Sequence, residues 1–385
     1  MSVVFQLGHN DHKVVEDFLL RRPAGVSGIT LHAKAARHQQ AAAEAAQETG
    51  AAVFFNPATE RLTAPGYVMH DAPYYAAAPY DIDALAADTA ARARLVEAVL
   101  AGHPAGVTAA TPPHFLVNSP RRASLNIVFA VDTANSTDLP VHAVLLLDRR
   151  YGVKAAAELA TQYRDAGVTD LELRLTPFGG EDESLAKIKS GFRLLDTFGD
   201  AGITTTLGCS GNVGQAAVAL GHADSYSVGI GVLEHVNHAG TMAQQRQPPQ
   251  LDENGKKKPN PGFEGVYLPG IAQTLSQKAA SALLAHTDIR LRLGCRLEEC
   301  GRSIDGPTRD SRRHYLHARS QEMTDLTSKP KAWRPTSEFE RLSRALALRE
   351  LINDKYRPET TAALKTRTLR GILDLPGEGL EARTG

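Results

Sequence analysis

Asp170-Leu171-Glu172-Leu173-Arg174-Leu175, a helical stretch Glu183–Phe198, Thr204-Thr205-Thr206-Leu207-Gly208, a second helical stretch Val213–Leu220 and Tyr226-Ser227-Val228-Gly229-Ile230 follow one another without interruption. Short β-branched runs alternating with helices of this length predict βαβ units and a parallel sheet. The first strand sharpens the reading. Its leucines share one face, and Glu172 and Arg174 share the other. A strand covered on both faces should be nearly all apolar. A barrel interior that turns polar toward one end instead holds Glu172 and Arg174 as a pair, either a structural salt bridge or a substrate contact.

Working outward, further strands are expected at Val3–Leu7, Gly28–His32, Ala52–Phe55, Gly106–Thr111, Val141–Asp148, Val266–Leu268 and Ile289–Leu293. Helices are expected at Lys13–Arg21, Ala35–Thr49, Ile82–Leu100, Val153–Ala166, Ile271–His286 and Ser337–Asp354. Eight or more such units predict an α/β fold of the (β/α)8 TIM-barrel type, with an open doubly wound sheet as the alternative. Pro57–Pro79 reads as a long loop, and Gly240–Gly265 as an insertion that could be a lid, an RNA contact or a subunit contact. The barrel is expected to span residues 1–293, including the insertion 240–265. Residues 294–385 are expected to form an Arg-rich, mainly helical C-terminal subdomain and tail.

Composition narrows the setting. The 43 basic and 43 acidic residues cancel, which argues against a surface uniformly adapted to nucleic acid but leaves room for a local basic patch. No apolar run reaches the roughly 18 residues of a membrane span, so no membrane partner is expected. The three cysteines, Cys209, Cys295 and Cys300, do not suggest a disulfide framework, and a cytoplasmic setting is expected.

Barrel enzymes assemble their sites at the C-terminal ends of strands. Those ends supply His9, Asp11, Asn56, His114, Asp148 and the turn Thr176-Pro177-Phe178-Gly179-Gly180. Next comes Gly208-Cys209-Ser210-Gly211-Asn212, between a strand and a helix. There the glycines allow close approach and free N–H groups favour an anion or carbonyl. Alternatively, Ser210 or Asn212 simply caps the helix. Glu234, His235 and His238 could act as acid and base or hold a divalent metal. Cys295 and Cys300 with His314 and His317 match the ligand types of structural zinc, buried inert thiols being the plainer reading. Arg302, Arg309, Arg312, Arg313 and Arg319 lie in the same stretch and form a candidate phosphate-facing patch.

The run Thr204–Gly231, with Gly208-Cys209-Ser210-Gly211 and Ala223-Asp224-Ser225-Tyr226-Ser227, resembles a barrel segment of the tRNA-guanine transglycosylase superfamily, including its DNA-acting relatives. Thr176–Gly180 is similar to that family's base-contacting loop. Cys295-x4-Cys300 followed by Ser311-Arg312-Arg313-His314-Tyr315-Leu316 is similar to its C-terminal zinc subdomain. The resemblance spans roughly residues 165–350. It implies a barrel, base exchange and a structural zinc ion. It also implies two catalytic aspartates, and the nearest positions here hold Asn56 and Ser227. A carboxylate would therefore come from Asp11, Asp148 or Glu234, with His235 beside it, and Gly179, Gly180, Ser210, Gly211 and Asn212 would join His9, Asn56 and His114 in binding.

Three functions follow as expectations. The first is an enzyme, transferase-like, acting on a nucleobase, nucleoside or nucleic acid. The second is a metal-dependent lyase, aldolase or hydrolase of a small anionic substrate. The third is a non-catalytic barrel scaffold or binding protein. A homodimer is an expectation for any of them.

Overall fold

The computed structural model describes residues 1–248, 253, 265–295, 297–301, 306–356 and 362–375. Seven parallel strands form its centre: β1 (Ser2–Gln6), β2 (Val26–His32), β3 (Ala52–Asn56), β4 (His142–Asp148), β5 (Asp170–Thr176), β6 (Thr204–Leu207) and β7 (Ser225–Gly229). Their spatial order is β3-β2-β1-β7-β6-β5-β4, curled into a half-barrel. A two-stranded antiparallel hairpin, β8 (Gly265–Leu268) and β9 (Gln273–Ser276), stands apart from it.

The closed eight-stranded barrel expected from the sequence is not what the strands form. The expected strand Gly106–Thr111 is absent among the described residues. In its place an irregular segment spans the gap between the edges of the sheet. Thr108 donates its N–H to Val53 O of β3 at 2.8 Å, and single parallel bridges join Ala110 to Val141 and Val117 to Leu147 of β4. Pro112 and Pro113 supply no N–H between those bridges, which prevents a regular ladder.

Other elements depart from expectation for local reasons. Ile289–Leu293 is helical, within Thr287–Leu293: Ile289 and Leu293 are buried one turn apart while Leu291 is 79% exposed. Left-handed Ala272 turns the chain so that Gln273–Ser276 pairs with β8, and the following helix begins only at Gln277. The expected helix Ile82–Leu100 is broken at Asp88, whose carboxylate accepts from Ala91 N–H and caps the second piece. Helix Pro120–Ser136 was not among the expected helices. Ser119 at its N-cap and Pro120 in its first turn are the signal that marks it.

Leu171, Leu173 and Leu175 point from β5 toward the helices and are essentially inaccessible, each contributing about 2 kcal/mol by burial. Helix Ser311–Thr327 packs beside β1 and helix His12–Leu20, and Ser320 and Thr324 both donate to Ala24 O. A second, smaller core joins Val266, Leu268, Ile271, Leu283, Ile289 and Leu293 to Leu348 and Ile352 of helix Arg334–Lys355. Of the 240–265 insertion, residues 249–252 and 254–264 lie outside the described residues. Among the described residues, no helix is long and apolar enough to cross a membrane.

Candidate functional site

The inward faces of the strands build a polar column. Arg174 Nε lies 2.9 Å from Glu172 Oε1, so the alternation in β5 does hold an ion pair inside the curl. Gln6 and Ser227 donate to the same carboxylate at 3.0 and 2.9 Å. At the far end His142 Nδ1 lies 2.6 Å from Asp170, and its other nitrogen lies 3.9 Å from Glu172. Burial disfavours the charged imidazole of His142, but the hydrogen bond to Asp170 and the charge of Glu172 outweigh it and raise its pKa to about 9. Burial likewise disfavours ionised Glu172, yet Arg174 and His142 hold its carboxyl well below the usual range.

Above this column, at the C-terminal strand ends, a cleft of about 140 Å³ opens among Arg174, Asn56, Glu60, His114, Cys209 and the 233–238 loop. Glu60 sits on the short turn Thr59–Thr63 just after β3, and its carboxylate lies 3.2 Å from His114 Nε2, off the straight hydrogen-bond line. Thr59 locks the pair in place: its hydroxyl donates to His114 O at 2.8 Å and accepts from His114 N–H at 2.9 Å. Burial would raise the Glu60 pKa. The close contact and charge of His114, with Arg174 beyond, instead hold it at about 2. His32, also lining the cleft, is kept neutral near neutral pH, its pKa pushed down to about 4 by burial and by the charge of Arg61. Burial lifts the Cys209 thiol to about 11 despite the neighbouring Arg174. Helix His238–Gln245 straps the cleft. His238 N–H donates to Thr176 Oγ1, and the Gln245 side chain donates to Arg61 O and Ala64 O.

Of the residues expected from the sequence, Asn56, His114, His235 and His238 meet in this cleft. The expected carboxylates do not line it. Asp11 accepts from Gly8 N–H at 2.6 Å and pairs with Arg312 at 3.1 Å. Asp148 is paired with Arg150. Glu234 is bound by Tyr315 at 2.7 Å and by buried Arg319 at 2.5 Å. His9 is exposed, its ring edge toward His38. Gly179, in the left-handed region at φ 98°, and Gly180 pack against the Cys209–Ser210 and Glu234–His235 segments and are not part of the cleft lining. The anticipated anion cradle at Ser210, Gly211 and Asn212 is filled from within. Ser210 N–H donates to Ser227 O, Gly211 N–H to Glu234 O, and Asn212 donates to Ala272 O. A side chain at Gly211 would meet both Arg319 and Glu234.

Glu60, Arg61, His32 and Cys209 are cleft residues that sequence reasoning missed. The signal for Glu60 was its place four residues beyond the end of β3, inside what read as featureless loop. Arg319 of the anticipated phosphate patch is buried, Arg312 and Arg313 pair with Asp11 and Asp17, and Arg302 lies outside the described residues.

The second concentration of chemistry is Cys295, Cys300, His314 and His317, whose candidate ligand atoms all lie within 4.8 Å of one another. The Sγ–N separations are 3.5, 3.4 and 3.1 Å, and the two imidazole nitrogens are 3.3 Å apart. Tetrahedral zinc with ordinary Zn–S and Zn–N bonds has ligand–ligand edges of about 3.3–3.8 Å, close to these separations, and two thiols with two imidazoles are the donor types that ion takes. His314 and His317 share a face of the 311–327 helix, and the other nitrogen of His314 donates to Tyr267 O at 2.5 Å. That bond fixes the tautomer that leaves Nδ1 free to ligate. The Cys295 thiol is drawn well below its ordinary range, first by hydrogen bonding with Cys300 and then by the two imidazoles, against the effect of burial. The group can bind a metal ion through four protein ligands.

No family model matches the chain and no curated protein matches it, so the functional reading rests on these two groups of residues.

Proposed function

We propose that the chain is a transferase-like enzyme acting on a nucleobase, nucleoside or nucleic acid at the mouth of the half-barrel, with Glu60 and His114 as its acid–base pair. The observation that carries the reading is a buried carboxylate, ionised at neutral pH, set 3.2 Å from an imidazole at the mouth of a small cleft. Ionised Glu60 supplies the carboxylate missing at Asn56. It is suited to attack an electron-poor sugar carbon or to accept a ring N–H proton, while His114 is suited to protonate a departing ring nitrogen. The cleft lining of Asn56 and histidines offers planar donors and acceptors suited to the edge of a heterocycle. The irregular 106–117 segment takes the place of an eighth strand, so we read the half-barrel as a degenerate TIM-type barrel.

Zinc is the metal proposed for Cys295, Cys300, His314 and His317. Four protein ligands leave it no open position, so its contribution when bound is structural cross-linking rather than chemistry on substrate. The metal-dependent lyase reading loses its carboxylate, because Glu234 is committed to Arg319 and Tyr315.

The test is base release or exchange from nucleosides and oligonucleotides, followed by chromatography. Turnover that Glu60→Gln lowers at least about a hundredfold supports the reading. Binding without turnover in the wild type favours the non-catalytic alternative, and turnover indifferent to Glu60 contradicts the assignment.

A further inference from the structure

The metal centre and the mouth are joined by a continuous set of buried contacts. His314 donates to the backbone oxygen of Tyr267 at 2.5 Å. The Tyr267 ring lies under the guanidinium of Arg319, 4.0 Å from the ring centre, and its hydroxyl accepts from Arg319 at 3.1 Å and donates to Glu322 at 2.7 Å. Arg319, only 1% exposed, donates on its other side to Glu234 at 2.5 Å, and Tyr315, the residue after His314, donates to the same oxygen at 2.7 Å. Glu234 is flanked by Leu233 and His235, which line the cleft together with Cys209.

The backbone of that loop is tied at four places besides: Leu233 O accepts from Gly229 N–H at 3.4 Å, Glu234 O accepts from Gly211 N–H, Val236 exchanges two hydrogen bonds with Phe178, and His238 N–H donates to Thr176 Oγ1. Leu233 is held at φ 56°, a left-handed conformation that a leucine adopts only when its surroundings impose it. The grip of Arg319 on Glu234 is part of those surroundings.

We propose that the Cys295–Cys300–His314–His317 centre controls access to the mouth, with Arg319 as the positioning residue through which metal occupancy orders the 232–238 loop. The metal fixes His314, His314 fixes Tyr267 at the end of the hairpin, and the Tyr267 ring and hydroxyl hold the guanidinium where it clamps Glu234. Loss of the metal releases the imidazole, lets Tyr267 shift, and loosens the loop without dissolving the strands beneath it. The coupling rests on the metal assignment above but not on the identity of the substrate.

Cys209 provides the readout, because it is 8% exposed and lies under the loop. The full chain is loaded with zinc, stripped with a chelator and reloaded, metal content is measured at each stage, and alkylation of each cysteine is followed by peptide mass spectrometry. Stripping is expected to speed alkylation at Cys209 about tenfold, reversibly, while amide exchange of β1–β7 stays slow. Zinc-loaded Arg319→Lys is expected to match stripped wild type at Cys209 while keeping its metal, and stripping it should add less than about a twofold further change. Tyr315→Phe provides a milder variant with the same direction of effect. Cys209 reactivity indifferent to bound zinc overturns the coupling while sparing the metal assignment. A chain that takes up no zinc overturns both. Loss of protection throughout β1–β7 on stripping also overturns it, because the metal then acts as a general staple and not on the loop.

Discussion

All four side chains of the candidate metal centre come from residues 295–317, whereas the mouth draws on positions scattered from Gln6 to Thr241. In the first, spacing alone places the chemistry: two histidines three apart on a helix share a face, and two thiols five apart lie just upstream. In the second, a carboxylate on a five-residue turn meets an imidazole 54 residues later only because β3 and the 106–117 segment run side by side. Local sites can be read as motifs; sites assembled by topology cannot.

The largest expected effect belongs to the metal centre. Cys300→Ser should abolish stoichiometric zinc binding and, at free zinc a thousandfold above Kd, remove about 4 kcal/mol of stability, measured by elemental analysis and denaturant unfolding in parallel. Arg319→Met comes next. It leaves the Glu234 carboxylate without its ion-pair partner, and about 3–5 kcal/mol of lost stability is expected by the same unfolding measurement.

A pH titration of stability separates the column from the mouth. His142 has its pKa raised from 6.5 to about 9, so its contribution is complete below pH 6.5 and is lost as pH rises through 9. Urea unfolding should show roughly 3 kcal/mol disappearing across that window in the wild type and not in His142→Gln. Glu60 works in the opposite direction. Its pKa is lowered from 4.5 to about 2, so its contribution is present above pH 4.5 and is lost as pH falls toward 2. The smallest effect is expected at Asp148, whose partner Arg150 is exposed: Asp148→Asn should change stability by less than about 1 kcal/mol and leave ligand binding at the mouth intact.

The parallel α/β architecture was legible because β4 to β7 and their helices carry clean periodicity, and the Glu172–Arg174 pair showed in the alternation of β5. Closure was misread at Gly106–Thr111, where an apolar run looks like a strand but the following prolines break the ladder. Asp11, Asp148 and Glu234 were reasonable carboxylates by position. Each is instead paired with an arginine, Arg312, Arg150 or Arg319, and two of those arginines come from a helix far along the chain. The pairings of Asp11 and Glu234 are not legible along the chain, since they depend on the 311–327 helix packing beside β1. Glu60 carries no signal of its own in the sequence, because its turn falls in a stretch rich in Pro, Gly and Tyr that has no periodicity.

The most direct test of the central claim is calorimetric binding of a panel of free nucleobases and nucleosides to zinc-loaded wild type and Glu60→Gln. Binding in the wild type, weakened at least about tenfold in the variant with zinc content unchanged, is the predicted result. A panel that shows no binding to the wild type, or binding that the loss of the Glu60 carboxylate does not alter, would contradict it.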